Sequence, residues 1–521
     1  MQFLSGARRF AACFGCSFAL TLACAGALAA QGNDQFAPTG GRSTLMGGTG
    51  VALGRDGATP FVNPAAIVRI LDRRLAFSVH FYSLEFMRFS DFHRPGDVDT
   101  ATFGEPGLRG TSLASSSFRT LPSTLCLFFT LAQLAQLSGA EPRPRPSESA
   151  PRSKLALCLA SLESEDVDLE ALRFSGATAT GRTSQVQALQ RRWSRHFVGP
   201  TYSTYLTQDL AIGGSVQAVY SHNAFGFDSA TLSNKLSGGS IRSDFGASGS
   251  GHSFDLTALV GATFRLGDWT IGASLRAPSV HLFGSYIGTF HRSTSGADED
   301  IAIAASGEGS MRSALPIRAA AGVGVTWGPW TLELDGALNI PIADELVSEV
   351  DEAQSRSEGA DAALTETKSR ARYRVPSRVT WNPSFGAEYY LNPALSLLAG
   401  VSSNFSSLRS LRPVASVGNL AQARSDHLSA SFGLGSYWNG GELLFGLQFD
   451  YGWGESLAVN PYAVPNDWSV VGMQTYALTF VISGATDLNA ILRTVDNLTG
   501  SDAPPAQPEP KPAAAPPATR P

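Results

Sequence analysis

Side chains able to do chemistry are scattered along this chain rather than clustered. Eight histidines, His80, His93, His196, His222, His252, His281, His291 and His427, stand apart among many serines, and no Gly-x-Ser-x-Gly elbow occurs. A nucleophilic triad is a matter of geometry, and spacing alone assembles no Ser/His/acid set here. No catalytic residue is assigned. Cys126 and Cys158 are the two cysteines beyond residue 30, and neither stands in zinc-like spacing with a histidine. An oxidising compartment could join them, or they are two small apolar core residues. The run Gly40-Gly41-Arg42-Ser43-Thr44-Leu45-Met46-Gly47-Gly48-Thr49-Gly50 follows nothing strand-like and lacks the lysine of a phosphate-binding loop. No cofactor or metal is expected, and a net charge of -5 gives no support for nucleic-acid binding.

The elements that would position any site are read from a period of two. Leu75, Phe77, Val79 and Phe81 alternate with Ala76, Ser78, His80 and Tyr82. Ile317, Ala319, Ala321, Val323, Val325 and Trp327 alternate with Arg318, Ala320, Gly322, Gly324 and Thr326. Trp330, Leu332, Leu334 and Leu338 alternate with Thr331, Glu333, Asp335 and Asn339. Successive strand side chains point to opposite faces, so each segment has one apolar and one small or polar face. A secretory leader precedes them: Arg8 and Arg9, then apolar residues 10–28, then Ala27-Leu28-Ala29, with cleavage expected after Ala29 or Ala30. The most apolar later run, residues 121–137, carries Pro122, Ser123, Thr130 and Gln133. It falls short of the roughly 20 apolar residues a spanning helix needs. With 53 glycines and 16% charged residues, the pattern predicts an all-β fold: an antiparallel transmembrane β-barrel, lipid outside and a polar lumen within.

The expected organisation is a leader over residues 1–30, a compact element over 31–72, a barrel over 73–485 and a Pro/Ala-rich tail over 486–521. Strands are expected to start near Leu75, resume near Gly199, and close at 473–483. Strand pairs 254–264/269–275, 315–327/330–340, 378–390/394–403 and 427–437/442–454 join at short turns, among them Gly267-Asp268, Gly328-Pro329 and Asn439-Gly440. Residues 90–174 read as one large outer loop with helical pieces, among them 155–174 carrying Leu157, Ala160, Leu162, Val167 and Leu169. Residues 226–250, 284–312, 341–374 and 404–426 read as long loops. Most of the eight tryptophans fall at strand ends, as an interfacial aromatic belt requires. The tail is low in complexity and extended, a spacer or a periplasmic contact.

Three blocks then point to a family. Gly41-Arg42, Met46-Gly47-Gly48-Thr49-Gly50-Val51-Ala52-Leu53 and Phe61-Val62-Asn63-Pro64-Ala65-Ala66 resemble the start of the FadL family of outer-membrane transporters for long-chain fatty acids and aromatic hydrocarbons. Leu315-Pro316 before a Gly-x-Gly strand and Ser384-Phe385-Gly386-Ala387-Glu388-Tyr389 match it in texture. The likeness covers residues 35–483. Phe480 departs from it, since barrels commonly finish on a terminal aromatic and this one stands far from the end.

The resemblance implies a 14-stranded barrel in a bacterial outer membrane, plugged by an N-terminal hatch. It further implies passive uptake of fatty acids or related hydrophobic molecules, captured by outer loops and released sideways into lipid. Gly47, Gly48, Gly50, Asn63, Pro64 and Ala65 would hold the hatch and gate it. Leu125, Leu127, Phe128 and Phe129 would form the capture surface. A ligand carboxylate would call for an arginine, and Arg42 and Arg318 are the candidates. Either could instead pair with lumen carboxylates such as Glu333 and Asp335. The partners expected are outer-membrane lipid, a hydrophobic small molecule and the barrel-assembly machinery. A closed barrel leaves no open edge, so a monomer is expected. A general diffusion porin and a structural or adhesive surface barrel are the competing readings.

Overall fold

The computed structural model describes residues 33, 39–70, 74–90, 112–117, 122–130, 153–178, 181–235, 239–296, 300–342, 346–358, 365–375, 377–411, 423–438, 441–460 and 467–487. The expected leader, most of the expected tail and the Asn439-Gly440 turn lie outside these residues.

The first described elements are two helical turns, α1 (Gly41–Leu45) and α2 (Thr59–Val62), and a 3-10 segment, Pro64–Arg69. Strands follow. The first seven are β1 (Arg74–Ser90), β2 (Ser112–Ser117), β3 (Pro122–Thr130), β4 (Ser153–Thr178), β5 (Gly181–Tyr205), β6 (Leu210–Lys235) and β7 (Ser240–Leu266). Next come β8 (Trp269–Arg276), β9 (Val280–Ser295), β10 (Asp300–Ser313), β11 (Ile317–Trp327), β12 (Trp330–Ile340) and β13 (Leu346–Glu358). The last are β14 (Thr365–Val375), β15 (Thr380–Asn392), β16 (Leu395–Asn404), β17 (Ala423–Trp438), β18 (Gly441–Asn460) and β19 (Asp467–Asp487).

Antiparallel pairing runs β1, β3 to β8, β11, β12, β15 to β19, and back to β1, closing a fourteen-stranded barrel. Strands β9, β10, β13 and β14 form a second storey beside the upper part of β7. At the lower end the turns are short. Gly267 and Gly328 have φ of 60° and 57°, a region in which a side chain is strained.

The burial pattern is inside out. On β12 Leu334 is 54% exposed while its neighbour Asp335 is 6% exposed. On β8 Trp269, Ile271 and Leu275 face out, and Thr270, Ser274 and Arg276 are buried. Only a lipid-facing wall around an occupied lumen gives this sign to the alternation. Trp269, Trp327, Trp330 and Trp438 lie exposed at the short-turn end, as the belt expectation holds. Trp193 differs, being buried on the lumen side of β5.

Several sequence expectations are corrected. Residues 155–174 are strand β4, not helix, and 122–130 are wall strand β3, not loop. Much of the expected loops 226–250, 284–312 and 341–374 is the upper reach of β6, β7, β9, β10, β13 and β14. Above the lipid both faces of a strand meet water, so the apolar period vanishes while the hydrogen-bond ladder continues.

Candidate functional site

Residues 39–70 fill the lumen as a plug, and the wall receives them through carboxylates and glycines. The backbone amides of Gly50 and Val51 donate to Asp335 Oδ2 at 2.8 and 2.9 Å. Those of Ala52 and Leu53 donate to Glu333 Oε1 at 2.7 and 2.8 Å. Four consecutive amides thus face two acids two positions apart on β12, the inward spacing of a strand. Within the plug, Asp56 accepts from the Ser43 amide at 2.8 Å and the Ser43 hydroxyl at 3.0 Å.

A third wall carboxylate, Glu388 on β15, anchors the lower side. Its Oε2 takes Arg42 Nε and Arg55 Nη2, both at 2.9 Å. Its Oε1 accepts Ser396 Oγ at 2.9 Å and Tyr437 Oη at 2.5 Å. Arg55 also donates to Tyr390. Burial opposes the Arg55 charge, but Glu388, Tyr390 and Tyr437 outweigh it and hold the guanidinium pKa above its ordinary value.

The Asn-Pro-Ala corner seats the other side. Asn63 is fully buried; its Nδ2 donates to Val51 O at 2.6 Å and to the wall carbonyl of Ala262 at 3.1 Å, and its Oδ1 accepts the Ala65 amide. Ser203 Oγ donates to Ala65 O at 2.9 Å. Wall residues Gly213 and Gly261 lie so near this corner that a Cβ on either would strike Pro64, Ala65 or Asn63. Gly47, at φ 70°, packs backbone to backbone on Val401 and Phe385; Gly48 and Gly50 have φ of 79° and 151°.

Two environments flank the plug. Towards β12 and β15–β18 lies a cavity of about 70 Å³ lined mostly by polar groups, among them Arg318, Asp335, Asn382, Ser384 and Ser402. Arg318 Nε and Asp335 Oδ1 are buried there without a hydrogen-bond partner. On the opposite side, Phe61 and Ile67 of the plug pack with Phe128, Leu162, Phe197 and Val219 of the wall and with Leu315 of the β10–β11 connection. A disulfide joins Cys126 and Cys158 in this apolar layer, across the β3–β4 ladder.

The ladder itself stops nearby. Among the described residues β3 pairs with β4 only from Thr130↔Lys154 to Thr124↔Ala160. Above that level β2 pairs with β1, while β4 pairs only with β5.

Of the expected ligand-binding residues, Arg42 is committed to Glu388 and buried, whereas Arg318 borders the polar cavity. Leu125, Phe128 and Phe129 are not on an outer loop. They lie on β3, whose ladder pairs Phe128 with Arg74 at the lower end of β1; Phe128 faces the plug and is 2% exposed. An unbroken apolar run there reflects a wall wet by lipid on one side and by the apolar plug on the other. Sequence reasoning missed Glu388, Gly213 and Gly261 as plug receptors. Inward register on barrel strands was the available signal, and it does not say which inward residues meet the plug.

No family model and no curated protein matches the sequence. Among solved structures, the Pseudomonas putida toluene transporter TodX superposes with a TM-score of 0.50 at 14% identity, over 86% of this chain and 98% of that one. A TodX deltaS2 mutant, a monoaromatic hydrocarbon channel, gives 0.50 and 14% over 87% and 99%. A Pseudomonas aeruginosa FadL homologue gives 0.48 and 12% over 87% and 99%. The superposition over nearly the whole of both chains therefore places this chain in the fold of the toluene transporter TodX.

Proposed function

We propose that this protein is a passive, hatch-gated channel for hydrophobic compounds in a bacterial outer membrane. The observation that carries the reading is the apolar layer of Phe61, Phe128, Leu162, Phe197 and Leu315, which runs from the plug to the level where the β3–β4 ladder stops. A hydrophobic ligand gains roughly 25 cal/mol per Å² of apolar area removed from water. Such a layer, beside a stretch of β4 that among the described residues pairs only with β5, offers it a dry route to the membrane. The neighbours named above are a toluene transporter and a monoaromatic hydrocarbon channel, which supports the ligand class. A diffusion porin needs an open lumen, and the plug latched to Glu333, Asp335 and Glu388 opposes that reading. Arg318 is the side chain proposed to meet a carboxylate, which would extend the ligands to fatty acids.

Proteoliposomes carrying the folded protein test this with labelled oleate, toluene and a small sugar. Uptake of oleate and toluene with exclusion of sugar is expected, and Leu162→Asp lowers both. Arg318→Met is expected to reduce oleate uptake about tenfold, the loss of one charge-assisted contact, and to spare toluene. Free passage of sugar, unaffected by Leu162→Asp, would establish a porin instead.

A further inference from the structure

A second seam opens in the wall between β8–β9 and β10–β11. β8 pairs with β11 from Trp269↔Val325 up to Arg276↔Arg318, and β9 pairs with β10 from Tyr286↔Gly309 upward. Between these ladders, residues 277–285 and 310–317 share no backbone pairing across the seam. Each side stays paired to its other neighbour. β9 pairs with β7 from Val280↔Leu256, β10 with β13 down to Ser313↔Leu346, and β11 with β12 up to Ile317↔Ile340. Pro278 and Pro316 stand at the same level on the two sides, and Pro341 follows Ile340 on the next strand. Proline has no N–H to donate, so a ladder cannot close through these positions.

The lower end of β10 passes on the lumen side of the sheet. The Met311 carbonyl lies against Gly284 and its Sδ against Gly251, where a Cβ on either glycine would strike it. The Ser313 amide donates to Ser253 Oγ of β7 at 3.3 Å, and Arg195 Nη2 of β5 donates to Ser313 Oγ at 2.7 Å. Ser253 Oγ in turn donates to Asp255 at 2.7 Å, and Asp255 meets His281 Nδ1 at 3.2 Å, so this polar latch is satisfied within itself. Below the latch the chain is apolar. Leu315 is 1% exposed and belongs to the layer of Phe61, Phe197 and Val219, which continues to Phe128 and Ala160 where the β3–β4 ladder stops. Its amide donates to Ser279 Oγ at 2.9 Å across the seam. One apolar layer thus touches both interruptions of the wall, with β4 to β8 between them.

A tilted strand crosses the apolar core of a bilayer in roughly 9–11 residues, and counted upward from Trp269 and Trp327 at the lower rim that length ends at Pro278 and Pro316. Apolar surface is exposed there: Val280 is 65% exposed, and Phe283 stacks on Phe254 of β7. We propose that the window between residues 278–280 and 314–317 is a lateral entry port, through which a compact, uncharged hydrophobic molecule passes from the outer leaflet into the apolar layer behind Leu315. Opening it displaces side chains and the Ser279 hydrogen bond, whereas elsewhere a backbone ladder would have to break. A charged molecule would lose its hydration at a mouth whose polar groups are already paired, which selects uncharged ones. The β3–β4 ladder stops nearer the lower end, beside Ser78 of β1, so the two seams differ in strand and in height. The inference rests on the hydrophobic-channel reading and adds where the ligand enters.

The test uses the full mature protein in proteoliposomes, with an uncharged phenyldiazirine photolabel dissolved in the lipid and adducts mapped by peptide mass spectrometry. Buried Leu315 is expected to be labelled alongside the lipid-facing Val216 and Val260. Val280→Cys places a thiol at the mouth on an exposed side chain, and a sulfonated maleimide then caps it in the folded protein. Capping is expected to lower the Leu315 adduct at least about tenfold, the cost of bringing the label past a charged group, and to leave Val216 unchanged. Labelling of Leu315 in the wild type needs no variant. An unlabelled Leu315, or an adduct that survives capping, would overturn the port. Toluene uptake is scored separately. Uptake with Leu315 unlabelled counts against the port alone, and capping-sensitive labelling without uptake counts against the channel reading alone.

Discussion

At the scale of single residues, Glu388 has the largest expected effect. It is buried and holds two arginines of the plug, Arg42 at 3% exposure among them. Removing one side of a buried ion pair strands the other charge and costs about 3–5 kcal/mol. Glu388→Gln is therefore expected to loosen the plug while leaving the barrel closed. Planar-bilayer recordings should show raised ion conductance with unchanged heat-modifiable mobility, and wild-type conductance would contradict the latch. Gly47→Ala is expected to act in the same direction. It adds a Cβ at positive φ against the backbone of Val401 and Phe385, with a backbone penalty of about 1–3 kcal/mol.

At the scale of elements, β12 acts as the receiving strip for residues 50–53. Each hydrogen bond to a charged group contributes about 1.5–3 kcal/mol. Glu333→Gln/Asp335→Asn keeps the shape but removes the charges, so the plug should be cleaved earlier than wild type in limited proteolysis from the lower side. An unchanged cleavage rate would mean that the Asn-Pro-Ala corner alone holds the plug. The β3–β4 disulfide closes a loop with a sequence separation of 32. A cross-link of this kind typically contributes about 2–4 kcal/mol. Reduction is expected to lower the urea midpoint of the barrel, and Cys126→Ser/Cys158→Ser should show the low midpoint without reductant.

At the scale of the whole molecule, the wall is stabilised by lipid outside and plug inside. Leu334→Arg places a charge on the lipid face and is expected to cost about 2–4 kcal/mol near the bilayer midplane. The same change at Trp330, on the lower rim, should cost about 0–1 kcal/mol. Urea titrations of folding into liposomes measure the pair. Equal penalties at both positions would mean that the exposed apolar band is not the lipid-facing surface.

The sequence by itself determined the barrel class, because strict alternation over segments such as 317–327 and 330–340 permits only a wall with unlike faces. It also marked the segment around Gly47, Gly48, Gly50 and Asn63-Pro64 as a compact element outside the strand pattern, while its reading as a plug came from the likeness to a known family. The likeness to a known family supplied the strand number. The upper strands were not legible: residues 226–250 and 284–312 meet water on both faces and lose the apolar period. Nor was β4, where Glu163, Glu165 and Asp166 interrupt the alternation. Only the tertiary structure decided that Glu388 holds Arg42, that Phe128 packs on the plug, and that the β3–β4 ladder stops at Ala160. These contacts join positions up to hundreds of residues apart. Periodicity reports which face a side chain occupies, whereas barrel closure and the seating of the plug decide what stands opposite it.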